Sequence, residues 1–551
     1  MKLKFILSST LIAGLAFSAA ADGYLDGVEY FQVGQDENAK IVLDQTLNDA
    51  STNKAEAYYY LGCIALNSGD KAQAQKYFDL GVQSNANYAF NYVGKGKLAL
   101  LGNDAKAAKG FFGQAEGFDK KNVPVKIGIA RAYYDVDSVL YKKEFNNYLK
   151  DAKKKDKTNG VIYIFEGDMF RDQKDYGKSA GYYEMAINYD AENPIPYVKY
   201  ASTYFHIAPD VAISKLKEIA DRKPNSLLSQ RELAEKYYEN GQWTKAAEQY
   251  GKVMENANHF DSDESRYVVL LYFGERYDES LALANEVLAK GNSPFLMKRM
   301  IFLNKAALKN WEEAEVAGVD FFNTPLEAHY TFTANDYSTY ADVLVNLKRH
   351  LEAAAEFEKV IGLDASRTDI YRNISAAYSN AAAADRDPEL YLKAAEAYQK
   401  FIDAGEYGES YKVSDLFTLS ARYLNVIATN QDPAVKENAY NKGLEAINMV
   451  LEKADPNYTI MQRKARIIRG FTGEENKTKE CCDAYIATVD IAKAQEGLAE
   501  AKLNAVVNEA YTYVGLYYVQ EKDIDTAKKY LEQAYTANPS PEFRSYIDGL
   551  K

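Results

Sequence analysis

A chain of 551 residues with 79 acidic against 66 basic side chains has a net charge of −13. Such a surface makes nucleic acid and anionic membrane poor partners, because phosphate binding rests on Lys and Arg neutralising phosphate charge. The length also exceeds what one hydrophobic core organises, and the three cysteines, Cys63, Cys481 and Cys482, do not make the even, regularly spaced set of a disulfide framework. Adjacent cysteines cannot easily meet disulfide geometry, so buried or free thiols are expected; a bridge from Cys63 to the C-terminal pair would need the chain to fold back on itself.

In chain order, Lys2 and Lys4 precede an apolar run from Phe5 to Phe17 that ends in Ser18-Ala19-Ala20-Ala21. A basic start, a short apolar stretch and a small-residue cleavage site make residues 1–21 a predicted secretory signal peptide. The run is too short to span a bilayer, and no cysteine follows it to carry a lipid anchor. The mature chain is expected to begin near Asp22, to carry a net charge of −15 and to lie outside the cytoplasm, in the periplasm or secreted.

Beyond the leader, helical patterns recur. Gln35 to Leu47 reads as the second helix of a first unit. Tyr58, Leu61-Gly62, Gly69-Asp70, Ala74 and Phe78 outline a full unit, and Gly102, Ala107 and Phe111 repeat its glycine, alanine and phenylalanine 33 residues on. Residues 125–157 keep only helical apolar spacing, and Lys150 to Lys157 reads as a solvated helix end. Gly167, Asp175-Tyr176, Tyr183 and Ala186 form the next clear copy, and a degenerate one covers 195–224. Leu233, Tyr237, Gly241, Ala246 and Tyr250 lead into the most regular stretch, in which Trp243, Tyr277 and Trp311 stand 34 residues apart, each followed three residues later by Ala246, Ser280 or Ala314. Phe322 to Asn335, with Pro325, breaks the register. Tyr340, Leu344, Ala353, Phe357 and Asp364 resume it, then Tyr371, Tyr378, Ala394 and Tyr398, with Asn380 to Pro388 as a lengthened turn holding Ala381 to Ala384. Residues 409–490 read as four longer helices. The last copy, Asn508 to Ser540, places Tyr511, Val514 and Tyr518 on one helical face, small residues at Gly515, Ala527 and Ala534, and Pro539 as the stop.

Aromatic, Leu-Gly, Tyr, then Ala, Phe or Tyr, Ala and Pro at a period near 34 resembles the tetratricopeptide repeat family. The resemblance implies an all-α, right-handed α-α superhelical solenoid of helix-turn-helix repeats, about thirteen of them, in two arrays, 22–322 and 336–551, with 323–335 as a linker or long loop. It also implies a concave groove lined by first helices, where a peptide or partner helix docks. Carried over position by position, that groove is lined by Tyr59, Cys63, Tyr92, Asp168, Arg231, Glu235, Arg299, Leu303, Asp342 and Arg372. The Lys and Asn clusters with which chaperone-binding members hold a terminal carboxylate are not found, but Arg231, Arg299 and Arg372 offer guanidinium groups suited to carboxylates.

Motifs for chemistry are missing. His206, His259, His329 and His350 lack zinc-type spacing. There is no nucleophile elbow, phosphate loop or Cys-x-x-Cys. Asp261-Ser-Asp263 begins like a calcium loop, but Arg266 and Tyr272 replace the required Gly and Glu. Most tyrosines fall in repeating slots, which argues for packing; Tyr59 and Tyr92 point off the packing face. The sequence therefore leads to a non-enzymatic adaptor without cofactors or metals that binds an envelope or secreted protein, or a peptide of one. A carbohydrate-binding component of a nutrient-uptake assembly is the alternative.

Overall fold

A computed structural model describes residues 23–405, 412–473 and 475–551; the expected signal peptide at 1–21 lies outside them. Among the described residues every regular element is an α-helix, as the solenoid reading requires. The chain divides into two compact units between Ser293 and Pro294.

The first unit pairs its helices in sequence as α1 (Gly23–Gln32) with α2 (Asp36–Thr46), α3 (Lys54–Asn67) with α4 (Lys71–Ser84), α5 (Ala89–Leu101) with α6 (Ala105–Phe118), and α7 (Val123–Val136) with α8 (Lys142–Lys155). It continues with α9 (Gly160–Asp172) and α10 (Tyr176–Tyr189), α11 (Pro194–Tyr204) and α12 (Pro209–Arg222), α13 (Leu227–Glu239) and α14 (Trp243–Met254), and α15 (Asp261–Phe273) and α16 (Tyr277–Ala289). The second unit contains α17 (Pro294–Ala307) and α18 (Trp311–Phe322), α19 (Ala334–Asn346) and α20 (His350–Leu363), and α21 (Ile370–Asp385) and α22 (Pro388–Ala404). It ends with α23 (Val413–Thr429) and α24 (Pro433–Lys453), α25 (Tyr458–Thr472) and α26 (Lys479–Ala494), α27 (Glu500–Gln520) and α28 (Ile524–Ala537), and α29 (Pro541–Gly549).

One turn geometry makes most of these hairpins. Gly34, Gly69, Asn103, Lys174, Gly241, Glu275, Lys309, Lys348 and Lys522 all have positive φ, and each stands directly before the residue that caps the second helix. Where that next residue is aspartate, its carboxylate accepts a backbone N–H in the first turn: Gln73 donates to Asp70, Ala107 to Asp104 and Lys178 to Asp175. An aspartate N-cap stabilises a helix by about 1 kcal/mol. The turn also corrects the register of the second full repeat. Asn103, not Gly102, takes the left-handed position, since asparagine tolerates it. The buried pair is consequently Ala108 and Phe112, while Phe111 lies under Lys95 at the surface.

Small residues let the helices close. The Phe78 ring lies between Gly62 of its own repeat and Gly94 of the next; a Cβ on either would fall 2.4 or 2.3 Å from Phe78 Cε1. Gly62→Ala is accordingly expected to cost about 1–3 kcal/mol through overpacking. Gly110→Ala, on the open face of α6 with nothing near its Cβ, should add up to about 1 kcal/mol through helix propensity. Thermal unfolding of the two variants should move in opposite directions; a common direction contradicts the packing argument.

Three sequence expectations meet the structure differently. Ala381 to Ala384 do not lengthen a turn. They continue α21, as expected of the strongest helix former, with Ala381 and Ala382 buried and Arg386 closing the helix at φ 55°. Residues 323–333 do form a long connection, but its residues are fastened to α17: Glu327 accepts the Phe295 N–H at 2.8 Å, and Tyr330 and Phe332 pack on the Phe295 ring at 5.4 and 5.6 Å. That connection therefore lies inside the second unit. Cys63, Cys481 and Cys482 are all free and buried, and burial pushes their thiols up to about 12, 11 and 12.

Candidate functional site

In the first unit the first helix returns to later ones. Helix α1 lies against α11 and α13 as well as its own neighbours, so the chain closes on itself after six hairpins. The seam is polar at its edges and aromatic inside. Ser226 donates to Glu29 at 2.9 Å, Asn258 donates to Asp26 at 2.9 Å and Gln35 donates to Glu232 at 2.5 Å. The Tyr30 and Phe260 rings meet at 5.4 Å. A cleft of about 640 Å³ remains at this seam, lined by residues 34–38 and by Arg231, Glu232, Glu235, Glu239 and Arg266.

Charge is handed from one first helix to the next. In the first unit Lys97 meets Asp135 at 2.7 Å, Arg131 meets Asp168 at 2.7 Å, and Lys199 approaches the same carboxylate from the other side at 2.9 Å. Arg231 meets Asp263 at 2.7 Å and also covers the Phe260 ring. In the second unit Arg299 grips Asp336 with two nitrogens at 2.8 and 2.6 Å, Arg372 meets Asp415 at 2.5 Å, and Arg466 meets Glu509 at 2.5 Å. Asp263, Asp336 and Asp415 share one construction. Each is the third residue of a first helix and accepts the backbone N–H of the residue before it, from Phe260, Thr333 and Lys412 at 3.0, 2.8 and 2.8 Å. One carboxylate thus caps its own helix and anchors the preceding repeat.

Most of the residues expected to line the groove have partners within the chain. Arg231, Arg299 and Arg372 do bind carboxylates, as their chemistry suggested, but the carboxylates belong to the next repeat. Asp168 is 2% exposed and saturated by Arg131, Lys199 and the Tyr183 hydroxyl. Glu235 accepts from Tyr250 and lies 3.4 Å from Arg266, at the seam cleft. Tyr59 is half-buried among Tyr60, Phe78 and Phe90, and Cys63 and Leu303 are each 7% exposed. Tyr92 does not face outward freely: its hydroxyl donates to the Ala86 carbonyl at 3.1 Å, as Tyr163 and Tyr197 do to Lys157 and Ala191. Asp342 stands exposed. The structure brings Arg231 and Glu235 to one cleft and leaves the others distributed along the two units. Asp263, Asp336 and Asp415 were missed, although an acidic residue three positions into a helix, as in Thr333 followed by Asp336, is a legible capping signal.

The turn edge carries the residues that opened the repeat reading. Trp243 begins α14, is 38% exposed and touches Tyr238 and Phe273. The tightly packed members of the repeating set are the small ones, Ala246, Ser280 and Ala314, all fully buried, with Ser280 donating to the Val268 carbonyl at 2.8 Å. Among the described residues no helix is long and apolar enough to cross a membrane.

A tetratricopeptide repeat family model matches residues 55–88 and 509–541, one stretch in each unit. The chain therefore carries repeats of that type. Among solved structures it is similar to the C-terminal part of a TPR repeat-containing protein from Cytophaga hutchinsonii, at 18% identity and a TM-score of 0.35 over 52% of this chain and 99% of that one. It is also similar to a tetratricopeptide repeat protein from Parabacteroides merdae, at 15% identity and a TM-score of 0.28 over 46% and 98%. Nothing among curated proteins matches it.

Proposed function

We propose that this chain is a non-enzymatic scaffold exported to the cell envelope, where the first-helix faces of its repeats bind a partner protein or a peptide of one. Tetratricopeptide repeats generally mediate protein–protein interactions, and the family match in both units supports that class of role. The observation that carries the reading is the chain of carboxylate bridges between successive first helices. It fixes their spacing before any partner arrives, and a surface ordered in advance binds without the ordering penalty. In the first unit α1 covers part of the faces of α11 and α13 and leaves a cleft beside them.

Export and partner class can be tested together. The chain without residues 1–21 is used to capture material from an envelope extract, and the full chain is followed by fractionation. A discrete protein retained by the bait, with the processed chain outside the cytoplasm, is the expected result. Retention of glycan alone would replace the scaffold by the sugar-binding reading, and an unprocessed cytoplasmic chain would remove the envelope role.

A further inference from the structure

Among the described residues of the second unit, two half-buried guanidinium groups have no carboxylate partner. Arg422 on α23 donates from Nη1 to the Ser379 hydroxyl on α21, and its Nε is buried without a partner. Arg463 on α25 lies over the Phe417 ring of α23 at 4.7 Å, and its Nη1 is likewise buried and unpaired. Arg422 thus occupies the seam between α21 and α23, and Arg463 the seam between α23 and α25.

Their neighbours show what such a group does when the fold provides for it: Arg299, Arg372 and Arg466 each hold a carboxylate of the next first helix. Acidic residues outnumber basic ones in this chain by 79 to 66, so two arginines without a counter-ion are not explained by a shortage of acids. Helix α25 adds Lys464, Arg466 and Arg469 and contains no acidic residue at all. Burial holds both guanidiniums below their ordinary pKa, and Arg466 adds to that for Arg463. An unsatisfied buried donor is destabilising, and one that persists calls for a physical reason.

We propose that the first-helix face of α21, α23 and α25 binds an acidic peptide segment of a partner protein, with Arg422 and Arg463 each taking one of its carboxylates. This rests on the scaffold reading and gives it a site and a ligand chemistry. Adjacent packed helices lie about 8–10 Å apart, and extended chain advances about 3.3–3.6 Å per residue. The two carboxylates therefore belong about three residues apart in an extended segment. A segment with two carboxylates matches the two guanidiniums, whereas each further charge of a polyphosphate would meet the repulsion of a chain of net charge −13.

The test uses the full chain and fluorescent twelve-residue peptides with two glutamates three positions apart in a Gly-Ser background, beside the same peptide with glutamines. Polarisation titrations should show the glutamate peptide binding at least tenfold more tightly. The preference should fall at least tenfold in Arg422→Met and in Arg463→Met and survive in Lys529→Met on α28. Both arginine variants should melt at or above the temperature of the parent, since they remove a desolvated charge, which separates lost binding from lost folding. Equal binding of the two peptides, a preference that survives both substitutions, or displacement by oligothymidylate at equal concentration overturns the acidic-peptide site. If a protein is still captured from envelope extract after any of these outcomes, the scaffold reading stands without this site; if none is captured, both fall.

Discussion

Asp168→Asn is expected to destabilise the first unit by about 3–5 kcal/mol, the cost of leaving buried charges unmatched. Four helices converge on this carboxylate. Arg131 of α7 donates to Oδ2 at 2.7 Å, Lys199 of α11 to Oδ1 at 2.9 Å, and the Tyr183 hydroxyl of α10 to Oδ1 at 2.8 Å, while Asp168 itself is on α9. Burial by itself would raise the Asp168 pKa; the charges of Arg131 and Lys199 overcome it and hold the group well below the ordinary carboxylate range. Burial also draws the Lys199 ammonium below its usual value, against the Asp168 charge that favours it. Asparagine keeps the size and can still accept from Tyr183, but it leaves two cations facing a neutral amide. Lys199→Met should cost less, about 1–3 kcal/mol, because Arg131 still neutralises the aspartate, and the double variant should lose less than the sum of the two. The sign with pH follows from the depressed native value. The contribution is fully present above the unfolded pKa near 4 and is lost as pH falls through the native one. Native-state hydrogen exchange of the α9 amides reads the effect locally in the full-length chain; protection in Asp168→Asn within about 0.5 kcal/mol of the parent, the range of a neutral surface change, would show that the cluster is not a keystone of the unit.

Much of the fold was legible because it is written at short range. Glycines at positions such as Gly62 and Gly167, facing an aromatic one helix later, and aspartates before second helices repeat with the period of the unit, and so do the tyrosines that fill the gaps between helices. What failed to show is what depends on contact between distant segments. Arg231, Arg299 and Arg372 were read as guanidiniums open to a partner's carboxylate; each binds one from 32 to 43 residues downstream in the same chain, and nothing local distinguishes a bridge of that kind from an open binding position. The single-residue slip at Asn103 has the same root in miniature: Gly102 is the more obvious turn residue, and only the backbone shows which of the two is left-handed. The closure of the first unit lies furthest from any local pattern. Glu29 and Ser226, 197 residues apart, belong to unrelated repeats, and neither stands in a signature position.

That closure is expected to weaken as pH rises. Burial pushes Glu29 up from 4.5 to about 7; the nearby Asp26 charge adds to the rise, while the Ser226 hydroxyl and Lys223 oppose it. Asp26 is raised by burial against hydrogen bonds from Asn258 and the Leu227 N–H, and Glu232 by burial against Gln35, Arg231 and Lys236. All three carboxylates therefore hold protons more tightly in the closed seam than in open chain. Between pH 4.5 and 7 the closed form binds the extra protons, so its stability falls across that window and stays low above it. Glu29 alone accounts for about 3 kcal/mol, opposite in slope to Asp168, whose contribution disappears only in acid. Amide exchange of α1 and α2, corrected for intrinsic rates, should be slowed on the order of a hundredfold more at pH 5 than at pH 8, since each 1.4 kcal/mol is a factor of ten. Glu29→Gln, which still accepts from Ser226 and cannot ionise, should remove most of the difference by protecting the helices at pH 8. Equal protection at both pH values, or a full difference retained in Glu29→Gln, would mean that the seam is held by the Tyr30–Phe260 contact regardless of its carboxylates. A seam that does loosen above pH 7 would free the faces of α11 and α13 that α1 covers, so partner access to the first unit would then depend on proton concentration, while the α21–α25 face of the second unit would not share that dependence.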